Sequence, residues 1–245
     1  MDKSRVDIDQ EEGELLSFDL DDGPDLSPDD VDNFHSEVFG LPMCVKHPQE
    51  PSSEKINSIK ADFAQLEKAI KAKDFVKVDE LMDVESFIHI LQLHEWLYNV
   101  EIDAPRSLYV YKDKGGKYVF GPVWDWDAGY DVDWGDMMKG HTFFTAYREL
   151  IYGTSPATSV GASYVINRFW TSMFNDETFV SLYKRLWTSV SDTILTHSWA
   201  EMEKYTSHMG GALEREYSKW PLWNKGMPMT AAQETIKMKT WLQNR

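Results

Sequence analysis

A single cysteine, Cys44, stands in 245 residues. One thiol cannot form a disulfide within the chain, so no disulfide framework holds this fold. Cys44 lies between Met43 and Val45 in an apolar run and reads as a small core residue. Positive charge is also scarce. Lys and Arg number 25 against 41 Asp and Glu, a formal net charge of −16. A surface of that sign repels phosphate backbones and anionic membranes, which excludes nucleic acid or a membrane surface as partners held by bulk electrostatics. It suits a cation, or a nucleotide that arrives with its own divalent metal. No apolar run approaches about 18 residues, so no membrane span is expected. The opening MDKSRVDIDQEEGE has no apolar stretch and no cleavage-site pattern, so no signal peptide is read there. GxSxG, Walker and CxxC patterns are missing too. His89 and His94 lie five apart on one expected helix and do not share a face as a zinc pair would.

Apolar and aromatic residues are plentiful, at 42% and 13%, with ten Trp. That is enough for a real core within one large domain. Residues 13–20 read as a strand, 21–33 as an Asp-, Pro- and Gly-rich loop, and 34–48 as short strands broken at Gly40–Leu41–Pro42. Helical spacing of Ile56, Ile59, Phe63, Leu66 and Ile70 predicts a helix over about 51–72, capped by Ser52 or Ser53. A second helix runs from an N-cap at Asp83 to about Asn99 and is apolar on most faces. SLYVYKD and KYVFGPVWD predict a hairpin turning at Lys114–Gly115–Gly116. Helices are expected at about 142–152, 161–174, 177–206 and 212–219. A last one is expected at 229–244, with Thr230 as cap. Strands, two helices, a hairpin and then helices argue for an α+β fold.

The strongest chemical candidate is VWDWDAGYDVDWGD, residues 123–136. Asp125 and Asp127 are two apart at the end of a predicted strand, which puts both carboxylates on one face. Such an oxygen-rich cup suits Mg²⁺ or Mn²⁺, and Asp131, Asp133 and Asp136 could add to it. The plainer reading is a solvated acidic loop over packed Trp124 and Trp126. A second group is Asn99, Glu101, Asp103 and Ser107, between the core helix and the hairpin. A carboxylate there could act as a general base, and ordinary capping and turn chemistry is the alternative. Trp220, Trp223 and Trp241 could form a sugar-stacking platform or simply pack the C-terminal helices.

DVESFIHILQLHEWLYNVE (83–101), SLYVYKDKGGKYVFGPVWDWD (107–127) and NRFWTSMFNDETFVSLYKRLW (167–187) together resemble the CotH kinase-like family, named for a bacterial spore-coat protein. GELLSFDLDD and GLPMCVKHP have counterparts there as well. The resemblance covers nearly the whole chain. It implies an atypical protein-kinase-like fold, mostly the helical lobe, with a β-hairpin carrying the metal-binding motif and remnants of the upper-lobe strands. Residues 1–48 would be the residual strand-rich part and 49–245 mainly the helical lobe of a single domain. The parent activity it implies is ATP- and metal-dependent phosphorylation of Ser on a coat or cell-surface protein, with ATP and Mg²⁺ or Mn²⁺ as cofactors. Relatives are often exported or on a surface.

By the same resemblance, Asp125 and Asp127 are metal ligands and Trp124 belongs to the cofactor-binding motif. Asn99 and Ser107 bind cofactor, and Glu101 and Asp103 hold the place of the catalytic carboxylate. The family has an Asp after the Asn and a second Asn further on, where this chain has Glu101 or Asp103 and then Ser107. The family's phosphate-anchoring Lys lies upstream of the region matching residue 1, so the chain is expected to lack the N-terminal part of the domain. These departures imply a weak or inactive kinase. A pseudokinase-like partner-binding module of the cell surface is the first alternative, and a carbohydrate-associated surface domain is the second.

Overall fold

The computed structural model describes residues 6–9, 11–102, 105–126, 129, 169–220 and 231–244. Five strands form one antiparallel sheet in the order β2-β3-β1-β4-β5. They are β1 (Glu14–Phe18), β2 (Asn33–His35), β3 (Pro42–His47), β4 (Leu108–Lys112) and β5 (Val119–Phe120). β1 is central, with Leu16 opposite both Val45 and Val110, and Phe18 opposite Met43 and Leu108. Strand alternation sends these six side chains to one face. There they meet α1 (Ser53–Ala72) through Ile59, Phe63 and Ile70, and α3 (Val84–Leu97) through Phe87 and Leu91. The opposite face is smaller: Leu15 and Tyr109 pack with Val6 and Ile8. Being buried on both faces, β1 reads as an almost unbroken apolar run.

Aromatic rings fill the centre. Phe87 lies 4.9 Å from Phe120 and 5.3 Å from Trp170, and Phe18 lies 6.2 Å from Phe120. These separations fall in the range where ring pairs add about 0.5–1.5 kcal/mol beyond area burial. Residues 169–172 are helical, which brings Phe169 and Trp170 into this cluster.

Capping accounts for where the first helices start. Ser52 accepts a bond from the Lys55 N–H, as the sequence predicted, and Asp83 accepts one from Ser86. Between them α2 (Phe75–Leu81) is a short helix that the sequence reading missed; Asp74 caps it, accepting from Lys77. The hairpin turns at Asp113–Gly116, closed by a 2.9 Å bond from Gly116 N–H to Asp113 O. Only Val110–Phe120 and Tyr111–Val119 pair across it, because Tyr118 N–H turns aside to Leu81 O at the end of α2.

Two helices were expected at 177–206 and 212–219. They are one, α4 (Glu177–Lys219), capped by Asp176. Gly210 and Gly211 each cost a helix about 1 kcal/mol, which is too little to break one already nucleated and propagated over many turns. α5 (Ala231–Asn244) lies beside α4, through a 3.1 Å Thr206–Thr235 bond and the Lys239–Glu203 ion pair. The expected helix at 142–152, the first part of 161–174 and the Thr230 cap lie outside the described residues. No helix among the described residues is long and apolar enough to cross a membrane.

One buried acidic side chain ties the turn between β2 and β3 to α1. Glu67 of α1 is fully buried and accepts bonds from Ser36 Oγ (2.5 Å), Val38 N–H (3.0 Å) and Phe39 N–H (3.1 Å). Ser36 Oγ also accepts the Leu41 N–H at 2.8 Å. The turn between β2 and β3 is thereby built on a carboxylate supplied by a helix.

Candidate active site

The end of α3 sets the first wall. Tyr98 takes a left-handed conformation (φ 46°), and its N–H bonds to the carbonyls of Glu95 and His94. This ends the helix at Leu97, two residues short of the expected Asn99. A left-handed non-glycine residue costs about 1–2 kcal/mol. Burial of the Tyr98 ring, 2% exposed, offsets it. Asn99 follows at 1% exposure, with its N–H on His94 O (3.0 Å) and its Oδ1 accepting the Glu101 N–H (3.0 Å). Its carboxamide oxygen is therefore committed to shaping the turn over Val100–Ile102. Glu101 is half-buried on that turn, while Asp103 lies outside the described residues.

The second wall is the start of β4. Ser107 is left-handed (φ 55°), and its N–H points at Asp19 Oδ2 (3.4 Å). The neighbouring Arg106 forks onto Asp21, Nε at 2.5 Å and Nη2 at 3.3 Å. Leu20 N–H bonds to Pro105 O at 2.8 Å. The end of β1 thus clamps residues 105–107 from one side. The sequence reading missed Asp19. The acidic run after a strand was visible, but its long-range pairing with Ser107 was not.

The third wall carries Asp125. An i, i+2 pair on one strand face was expected, and the structure corrects that geometry. β5 ends at Phe120, and residues 121–126 are irregular. Pro122 has no N–H to continue the ladder. Gly121 has φ 134°, a conformation that residues with a side chain rarely adopt, so the GP pair ends the strand and redirects the chain. Asp125 is itself left-handed (φ 58°) and exposed, with Oδ2 3.5 Å from Ser107 Oγ. Asp tolerates this region better than most residues, yet it remains a sparsely populated state of the kind that gathers at functional sites. Val123 and Trp124 flank it at 49% and 38% exposed. Asp127, Asp131, Asp133 and Asp136 lie outside the described residues.

Electrostatics join these walls. The Tyr109 phenol is pushed up, first by burial and then by the charges of Asp19, Asp22 and Asp125, against the opposing charge of Lys46. Of these, Asp22 is paired with Lys46. Burial lowers the His94 imidazole to about 4, partly opposed by its bond to Asn99 O, so at pH 7 the ring is neutral. His89, which does not share a face with His94, is exposed.

Asp125 and Ser107 fit as two oxygen ligands of a Mg²⁺ or Mn²⁺ that keeps several waters. Asn99, turned inward, does not complete that set in this conformation. Among the described residues no three His, Cys, Asp or Glu side chains converge closely enough to hold a metal by themselves. Of the aromatic residues considered for sugar stacking, Trp241 is buried, Trp220 is 52% exposed with Lys219 Nζ 5.3 Å from its ring centre, and Trp223 lies outside the described residues. Cys44 is free and buried, and burial raises its thiol, as suits a core residue.

No curated protein and no solved structure matches the chain. A family model, described as CotH kinase protein, matches residues 3–245, and by that match over nearly its whole length the chain belongs to the CotH kinase family.

Proposed function

We propose that this chain binds ATP with a divalent metal at Asp125 and Ser107 and transfers the γ-phosphoryl weakly, to Ser of a coat or cell-surface protein. The observation that carries this reading is the meeting of two left-handed residues, Asp125 and Ser107, whose side-chain oxygens approach to 3.5 Å. Holding both residues in that conformation costs free energy and aims both oxygens at one point. A divalent ion there would neutralise charge on the phosphates. Asp125 supplies the anionic ligand and Ser107 a neutral one. In this reading Glu101 is the carboxylate that takes the proton of an incoming hydroxyl. Asp127 and Asp103 join the metal and catalytic sets in this reading, and Trp124 covers the nucleotide.

A second reading has a specific observation in its favour. Asn99 is buried and spends its oxygen on the Glu101 N–H, which suits a pseudokinase that keeps the cup and binds a partner protein.

Calorimetry with ATP, with and without Mn²⁺, tests the first reading. The wild type binds ATP only with Mn²⁺, and Asp125→Ala lowers that affinity by at least about 10-fold, a loss of about 1.4 kcal/mol. Equal ATP affinity in both proteins would overturn it. Metal-dependent binding without any transfer to Ser-containing peptides selects the pseudokinase reading.

A further inference from the structure

We infer that His94 is a positioning residue of this site: its ring couples the Asn99 turn to the segment carrying Asp125. The inference rests on the reading of Asp125 as a metal ligand. Asp125 lies on an irregular segment whose ladder pairing stopped at Phe120, so something other than the sheet must hold it. The next residue supplies the attachment. The Trp126 ring lies 4.4 Å from the His94 ring, tilted by 41°. On its other side His94 Nδ1 lies 3.3 Å from Asn99 O. A carbonyl only accepts, so Nδ1 carries the proton and donates. One buried, 2% exposed ring therefore touches the first and third walls of the cup at once. Further along the same segment, a Cβ built on Gly129 would lie 3.5 Å from Leu97 O, so the chain returns to the end of α3 just after Trp126.

The chemistry of histidine fits this double task. A phenyl ring would keep the contact with Trp126 but leave Asn99 O without a donor. Asn would keep a donor at about the Nδ1 position but lose the stacked face. Neutrality matters too, since a charged ring in this apolar setting would carry a desolvation cost. Neither ring nitrogen of His94 is available to a metal or a substrate, because the side chain is enclosed. It acts through Asn99 and Trp126.

The full chain and its His94→Phe and His94→Asn variants would be compared by two measurements. Mn²⁺ affinity is read by electron paramagnetic resonance. Amide exchange is read at Glu101, whose N–H rests on Asn99 Oδ1, and at Leu91 within α3. The expected result is Mn²⁺ binding weakened by about 10-fold in each variant, the scale for outer-shell partners of a metal site. Exchange at Glu101 speeds up while Leu91 is unchanged. Equal Mn²⁺ affinity in all three proteins overturns the inference and leaves the metal reading intact. Equal acceleration at Glu101 and Leu91 also overturns it, because His94 would then be ordinary core. If the wild type binds no Mn²⁺ while Glu101 alone exchanges faster in the variants, the metal reading fails and the positioning of the turn by His94 stands.

Discussion

Replacing Glu67 by Ala is expected to lower unfolding stability by about 4 kcal/mol. The change deletes the acceptor for the buried Ser36 Oγ and for the partly buried N–H groups of Val38 and Phe39, all within the β2–β3 turn. Each buried donor left without a partner costs about 1–3 kcal/mol. Relaxation and entering water keep the sum near the low end of three such penalties. Against a typical total of about 5–15 kcal/mol this is a large fraction. For a domain of this size it corresponds to a fall in Tm of about 10 °C. Glu67→Gln keeps one acceptor oxygen and is expected to lose roughly half as much. Urea denaturation of the three proteins checks the order. A loss below about 1 kcal/mol in the Ala variant would mean that the turn is not held by this carboxylate.

The second large effect is a dependence on pH. Burial lowers the folded His94 imidazole to about 4, against 6.5 when exposed. Between those values the unfolded chain binds a proton that the folded chain refuses. Stability is therefore fully present above about pH 6.5 and is lost as pH falls toward 4. The gap is worth about 3 kcal/mol in all, of which about 1.4 kcal/mol is gone by pH 5.5. A general effect runs the other way. The chain carries −16 at neutral pH, and acidification relieves that self-repulsion. The informative quantity is thus the difference in slope between wild type and His94→Phe, in which only the imidazole term is removed. The variant is expected to lose about 1.4 kcal/mol less than the wild type between pH 7.5 and 5.5. Identical slopes would show that His94 does not refuse its proton.

Local patterning made much of the scaffold legible. The α1 spacing, the Ser52 and Asp83 caps, the turn before β5 and the mixed fold class all follow from period, capping and turn chemistry. What stayed hidden depends on long-range pairing or on backbone state. Glu67 sits one turn after Phe63 on the apolar face of α1. Its spacing placed it inside, but a lone Glu in such a helix reads as solvent-facing until its three donors are seen. Tyr98 ends α3 without a glycine, because burial of its ring outweighs the left-handed strain, and so the helix appeared to reach Asn99. α2 is only seven residues long, too short for a periodic signal.

At the site, the reading of GPVWD as a chemical segment stood on residue types and on family resemblance. The expected strand geometry did not hold, since Gly121 and Pro122 end the ladder before Asp125. The pairing of Ser107 with Asp125 and the clamp from Asp19 and Arg106 join segments about 18 to 88 positions apart. No local pattern encodes such contacts.

The central claim is that a divalent metal sits between Asp125 and Ser107. Titration of isotope-labelled protein with substoichiometric Mn²⁺, in the presence of ATP, tests it most directly, because the ion broadens amide signals steeply with proximity. The account predicts that Ser107, Trp124 and Asp125 broaden first, and that Asp125→Ala abolishes the pattern. Broadening spread over the remote carboxylates Asp29, Asp30 and Glu201, with Ser107 and Asp125 untouched, would contradict it.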